Sequence, residues 1–260
     1  MFSLCLLCLT FVPQVDGKLV VSNVRPTLVD LGPTRPDTIY LPGDVVHVTF
    51  DVAGFKLDAE GRYRFSAKLQ VEDGAGKLIG SEDYGFSPSR LGVIGNGKSR
   101  FAFRLPIPVD QPAGNYKAKL VLGDANSKAT ASVEQPYRVA APGFGLIRLQ
   151  IGRGPFGQSE TPCTGNVGEV LHLGLQAVGL GKLKDNQGTL DITLEVKDAS
   201  GKTLGKPQLN TFPDINVTEP LQLRFELPLD QAGKYQLVFK ATDKASAKST
   251  TLTVPLQVVE

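Results

Sequence analysis

Gly43-Asp44-Val45-Val46-His47-Val48-Thr49-Phe50-Asp51-Val52 decides the fold, because it alternates with period two and then comes back. Val46, Val48, Phe50 and Val52 fall on one phase; Val45, His47, Thr49 and Asp51 fall on the other. That is the pattern of a strand with one face on a core and the other mostly towards water. The stretch returns 125 residues later as Gly168-Glu169-Val170-Leu171-His172-Leu173-Gly174-Leu175-Gln176-Ala177. Leu171, Leu173, Leu175 and Ala177 keep the apolar phase, and the chain's two histidines, His47 and His172, fall in register.

Val71-Glu72-Asp73-Gly74-Ala75-Gly76-Lys77 recurs at the same offset as Val196-Lys197-Asp198-Ala199-Ser200-Gly201-Lys202. Asp110-Gln111-Pro112-Ala113-Gly114-Asn115-Tyr116 recurs as Asp230-Gln231-Ala232-Gly233-Lys234-Tyr235. A unit of about 120 residues is too long for a solenoid repeat and has the size of an ordinary domain. The expected organisation is therefore a first domain over 18–141 and a second over 142–260. They meet at Ala140-Ala141-Pro142-Gly143, a junction short enough to set them end to end with limited freedom.

Each copy reads as seven or so short strands. Six are placed in each: 19–24, 45–52, 63–71, 100–105, 116–122 and 129–139 in the first, and 146–151, 170–177, 190–196, 221–227, 235–241 and 249–259 in the second. Asp/Gly/Lys turns reverse the chain after Val71 and Val196, and Pro106 and Pro228 each end a strand. No stretch of ten residues carries an apolar stripe at helical spacing. The predicted class is all-β, two tandem antiparallel β-sandwiches of immunoglobulin-like type.

Composition bounds the function. With 260 residues, 41% hydrophobic and 21% charged, two cores of normal size fit without disulfides or a structural metal. A net charge of +2 with both signs interspersed gives no nucleic-acid footprint and no basic membrane patch. The 28 Gly and 18 Pro suit many tight turns. Residues 2–12 form an apolar run too short to span a bilayer and right for a signal-peptide core. Val15 and Gly17 are small enough to precede a cleavage site, so residues 1–17 are read as a leader and the mature chain as starting at Lys18, without a membrane span. Cys5 and Cys8 would leave with that leader, and Cys163 is expected to be a half-buried small residue.

The turns before Tyr116 and Tyr235 resemble the Asp-x-Ala/Gly-x-Tyr turn that opens strand F of immunoglobulin-like domains. That likeness implies tyrosine corners, with both hydroxyls bonded back to the preceding loop. The cysteines and tryptophan of antibody domains are missing: Ala118 and Leu237 stand where the second cysteine would be, and the chain has no Trp. The chain is thus more similar to cysteine-free bacterial immunoglobulin-like or fibronectin type III-like modules. Tyr40-Leu41-Pro42-Gly43-Asp44-Val45-Val46-His47 is similar to the strand that opens macroglobulin-type sandwich domains. Both likenesses imply a sandwich in an extracytoplasmic setting; neither implies a reaction.

Gly92-Val93-Ile94-Gly95-Asn96-Gly97-Lys98-Ser99 fits the phosphate-binding loop pattern letter for letter. Phosphate binding by that pattern needs a buried parallel strand before it and a helix after it. Here Gly85-Phe86-Ser87-Pro88-Ser89-Arg90 reads as loop, and Arg100-Phe101-Ala102-Phe103-Arg104-Leu105-Pro106 alternates like a strand. Nucleotide binding is not expected. His47 and His172 lie a domain apart on the water-facing phase of their strands, so they are read as surface residues and not as ligands to one metal. Asp51, Asp58, Glu60, Glu72 and Asp73 do not follow calcium-loop spacing. The residues define no catalytic, cofactor or metal site. The functional expectation is an exported, non-enzymatic interaction, adhesion or spacer module with a protein or cell-surface partner. A carbohydrate-binding accessory module is the alternative, with Tyr84, Phe86 and Phe156 as scattered aromatic candidates.

Overall fold

The computed structural model describes residues 18–60, 62–90, 98–154, 159–183 and 186–260, with backbone only for 85–90. The first copy runs through β1 (Val20–Thr27), β2 (Ile39–Tyr40), β3 (Val45–Ala53), β4 (Arg62–Asp73), β5 (Leu78–Arg90), β6 (Lys98–Pro106), β7 (Gly114–Asp124) and β8 (Thr130–Val139). The second runs through β9 (Gly145–Arg153), β10 (Ser159–Glu160), β11 (Thr164–Asn166), β12 (Val170–Val178), β13 (Gln187–Asp198), β14 (Thr203–Asn216), β15 (Leu221–Pro228), β16 (Gly233–Asp243) and β17 (Lys248–Val259). The described residues contain no α-helix.

The strands form two antiparallel sandwiches of one design. In the first, β1-β3-β6 faces β2-β8-β7-β4-β5; in the second, β10-β9-β12-β15 faces β11-β17-β16-β13-β14. The same sheet switch opens each copy. β1 pairs antiparallel with β3, whereas β2 crosses over to run parallel to β8; β9 and β11 repeat this against β12 and β17. No sheet is shared between the copies.

Period-two residues fill each interior. Val46, Val48, Phe50 and Val52 are buried with Ala118, Leu120 and Leu122 in the first; Leu171, Leu173, Leu175 and Ala177 are buried with Leu237, Phe239 and Ala241 in the second. The first core is aromatic, with Phe55 and Tyr63 stacked at 4.5 Å and Phe65 edge-on to Phe101 at 5.3 Å. The second relies on leucine. Each such side chain contributes roughly 1.5–3 kcal/mol of burial, which is why neither copy requires a covalent staple.

The repeated turns explain the repeated letters. Asp73 Oδ1 accepts the N–H groups of Ala75 and Lys77 at 3.0 and 2.9 Å, and Asp198 Oδ1 those of Ser200 and Lys202 at 2.9 and 3.0 Å. Gly76 and Gly201 supply the positive φ, 80° and 86°, that the reversal requires.

Two expectations about strands are corrected. Gly85 to Arg90 is strand: it continues β5 against β4 as far as the Arg62–Arg90 pair. An edge strand tolerates the missing Pro88 N–H, and ladder pairing overrides weak local propensity. The second phase of β3 does not face water. His47, Thr49 and Asp51 are buried, because β3 lies between β1 and β6 and polar side chains from both sides close over it. Asn23 and Arg100 both donate to Asp51, at 2.7 and 2.8 Å, and Thr27 meets Thr49 at 3.3 Å.

Candidate interaction site at the junction

The segment between β1 and β2 builds the contact between the sandwiches. A backbone bridge between Thr27 and Thr34, with Leu28 N–H donating to Pro33 O at 3.0 Å and Gly32 N–H to Val29 O at 3.1 Å, closes 28–34 into a compact loop. Its tip does not belong to the first core. Leu28 and Val29, 5% and 6% exposed, pack in the second copy's cluster with Leu149, Ile151 and Leu171. They enter the flank between β9 and β17, where β11 covers only the last three residues of the edge of β17. Burying the two side chains is worth roughly 3–6 kcal/mol. The junction is thus fixed by an inserted apolar anchor as well as by a short linker.

Polar contacts surround the anchor. Arg148, held at φ 53°, donates its backbone N–H to Asp44 Oδ1 at 3.0 Å and its Nε–H to the Gly43 carbonyl. Asp44 also accepts Val45 N–H at 2.8 Å and lies 3.4 Å from Arg35, whose guanidinium stacks 4.2 Å above the Tyr40 ring. The linker has no slack. A Cβ on Gly179 would stand 2.1 Å from the Gly143 carbonyl oxygen, and one on Gly145 would stand 2.3 Å from Leu41 Cδ1.

His47 belongs to this junction, which corrects its reading as a surface residue. Its Nδ1 is 2.7 Å from Asp30 Oδ1; Arg104 Nε donates to Asp30 Oδ2 at 2.7 Å, and the Arg104 guanidinium pairs with Glu160 of the second copy. Burial opposes charge on Asp30, but hydrogen bonds from His47 and Arg104 outweigh it and hold the carboxyl below the usual aspartate range. These residues line a cleft of about 320 Å³. Arg104 bridges Asp30 of the first copy and Glu160 of the second, so the arrangement joins the two bodies. His172 is half-exposed and stands 3.7 Å from Glu226.

The tyrosine corners form as the resemblance implies. Tyr116 donates to Pro112 O at 2.8 Å and Tyr235 to Gln231 O at 2.9 Å. A second repeated anchor escaped the sequence reading. Asp124 Oδ2 accepts Lys56 N–H at 2.9 Å, and the equivalent Asp243 Oδ2 accepts Gly181 N–H at 2.8 Å, tying the β3–β4 and β12–β13 loops to the β7–β8 and β16–β17 turns. Burial again works against ionisation of Asp243, and donors from Ser246, Gly181 and Ala245 overcome it, lowering its pKa.

Of the phosphate-loop letters, 92–97 lie outside the described residues, while Lys98 and Ser99 begin β6 and pair with Ala53 and Val52. Cys163 is fully buried, and burial pushes its thiol up to about 12, so it is no nucleophile at neutral pH. Tyr84 is an exposed ring on β5; Phe156 lies outside the described residues, as does the expected leader 1–17. Among the described residues no three His, Cys, Asp or Glu side chains gather to hold a metal, and no helix is long and apolar enough to cross a membrane.

No family model matches the chain, and no curated protein matches it. Among solved structures it is similar to the C-terminal domain of the Streptococcus agalactiae AgI/II polypeptide BspA, at 9% identity over 92% of this chain and 100% of that one, with a TM-score of 0.32. A Pseudomonas fluorescens alkylpurine DNA glycosylase, AlkC, overlays at 11% identity, 48% of this chain, 31% of that one and a TM-score of 0.32. Red sea bream transglutaminase does so at 10% identity, 94%, 31% and 0.27. Overlays this loose carry no argument about function, and the sandwich assignment rests on the strand order itself.

Proposed function

We propose that the chain is an exported, non-enzymatic interaction, adhesion or spacer module in which two immunoglobulin-like sandwiches, of the cysteine-free fibronectin type III-like kind, act as one stiff body. Residues 1–17 serve as its leader, 18–141 as its first domain and 142–260 as its second. The observation that supports this reading best is the burial of Leu28 and Val29 in the second core. A flexible pair of beads has no use for a shared anchor, whereas a module that must hold a partner or a surface at a fixed distance does. The carbohydrate reading draws little support from the aromatic residues. Phe50, Phe55, Phe65, Phe101, Phe103, Tyr40, Tyr63, Tyr116 and Tyr137 are spent on the first core and are not available as a sugar platform.

Small-angle scattering at low protein concentration tests the stiff body, and N-terminal sequencing of the chain recovered from its source tests export. The expected results are one compact conformation of fixed maximum dimension and a mature terminus at Lys18. A broad distribution of dimensions, or an intact Met1 on cytoplasmic material, overturns the respective half of the reading.

A further inference from the structure

β15 ends its sheet with one side bare. The order β10-β9-β12-β15 leaves it bonded to β12 alone, and among the described residues no backbone hydrogen bond reaches its other side. The end of the strand shows which groups are free. Leu229 N–H turns to Glu169 O at 2.9 Å, on the β12 side. The alternation of a strand then points the N–H and C=O groups of Gln222, Arg224 and Glu226 away from β12. Pro228 falls on the same outward phase, where its missing N–H takes no bond from β12.

Exposed edges are ordinarily protected against pairing with another chain. β14, the other long edge of the second copy, carries Pro207 and Pro213 inside the two breaks of its register with β13. β6, the counterpart of β15, carries Lys98, Arg100 and Arg104 and no acid. Two such strands paired antiparallel about Ala102 would set Arg100 against Arg104, and like charges directly opposite are unfavourable.

β15 has the reverse arrangement. Leu223-Arg224-Phe225-Glu226-Leu227 reads the same in both directions about Phe225, except that the charge changes sign. Antiparallel about an axis through Phe225, two copies place each Arg224 opposite the other's Glu226 and each Leu223 opposite the other's Leu227. Arg224 and Glu226 are exposed on the outer face, while Leu223 and Phe225 are buried on the inner one. Within its own sheet Arg224 stands opposite the bare Gly174, which offers it no cross-strand charge. Shifting the register by two residues either way puts Arg224 against Arg224 or Glu226 against Glu226, so the charges favour the pairing about Phe225 over its nearest neighbours.

We propose that the chain forms a two-fold dimer by pairing β15 with the β15 of a second copy, antiparallel about Phe225. On each side of the axis Arg224 and Glu226 exchange both backbone hydrogen bonds and bring opposite charges together, and the two β10-β9-β12-β15 sheets continue as one. The contact uses the same surface on both molecules, so it closes at two. It is one strand wide and belongs to the weak end of protein interfaces. The stiff body does not require this partner, and this partner does not require the stiff body.

Sedimentation equilibrium of the purified chain, run from about 10 μM to about 1 mM to cover weak interfaces, tests it. The weight-average mass is expected to rise towards that of a dimer and no further. Arg224→Glu and Glu226→Arg, both at exposed positions, each set like charges against one another and should each stay monomeric, with the circular dichroism of the parent. The double variant Arg224→Glu/Glu226→Arg restores opposite charges and should regain the dimer. A constant monomer mass in the parent overturns the proposal. So does growth past the dimer, undiminished association in both single variants, or a double variant that stays monomeric. Scattering at low concentration reports the stiff body separately, so the two ideas fail independently.

Discussion

His47 and His172 stand at one position of the repeat and sit in different surroundings. His47 is buried, bonded to Asp30 and linked through Asp30 and Arg104 to Glu160 of the other copy; His172 is half-exposed beside a solvated Glu226. The strands under them are equivalent, β3 paired with β6 and β12 with β15 in the same register. What differs is the residue pair where these opening strands end: Leu28-Val29 directly after β1 in the first copy, and Arg153, the last residue of β9, with Gly154 in the second. The strand frame was preserved on duplication, and the loops divided the labour. The loop after β1 became the anchor of a junction.

The comparison is broken most severely at the anchor. Leu28→Ala is expected to lower the stability of the second sandwich by about 2–5 kcal/mol through lost burial and a cavity. Arg153→Ala, at the equivalent position, is expected to cost the molecule less than about 1 kcal/mol. Urea unfolding followed for both variants checks the contrast, and equal losses would dissolve it.

The loop-tying aspartates come next. Asp243→Ala leaves buried donors from Gly181, Ala245 and Ser246 unmet and should cost about 2–3 kcal/mol, and Asp124→Ala a similar amount, by thermal or denaturant melting. Similar losses would show that the copies share this device even where their surfaces have diverged. The tyrosine corners are worth less. Tyr116→Phe should cost about 1 kcal/mol, and Tyr235→Phe less because its hydroxyl is more exposed to water. Unchanged denaturation midpoints in both would remove the corners from the account.

The smallest effect belongs to the ionic ring around Asp30. Its folded-state pKa lies below the ordinary aspartate value, so its stabilisation is present above that ordinary value and is lost as pH falls through the lowered one. The stability difference between the parent and Asp30→Asn should shrink as pH falls below about 4. Arg104→Gln should cost up to about 1 kcal/mol, and less at high salt. A difference that grows as pH falls below about 4 would contradict the assigned direction.

Much of this was legible in the residues. Alternation at 45–52 and 170–177 identified the central strands, because a half-buried pleat imposes period two on whatever side chains it carries. The Asp73 and Asp198 turns and both tyrosine corners could be read from short motifs whose chemistry is local. The junction could not. Leu28 and Val29 sit in a loop without a period, and their role depends on an open flank more than a hundred residues away. The sequence shows only that Arg153-Gly154 stands at the equivalent positions of the repeat. His47 was misjudged for the same reason, since alternation reports which side of the strand a residue takes and not what later covers that side. Gly85 to Arg90 lacked strand-forming residues and became strand because β4 offered an unpaired edge. Asp124 and Asp243 repeat in the sequence, but a loop aspartate looks solvated until the loop it ties down is known.

Hydrogen exchange on Leu28→Asp/Val29→Asp, compared with the parent chain, tests the anchored junction most directly. Amides of β9, β12 and β17 should lose protection while those of β3, β4 and β7 keep theirs, because the charge opens the flank of the second core and leaves the first core intact. Unchanged protection throughout the second sandwich would contradict the claim that the first copy completes it.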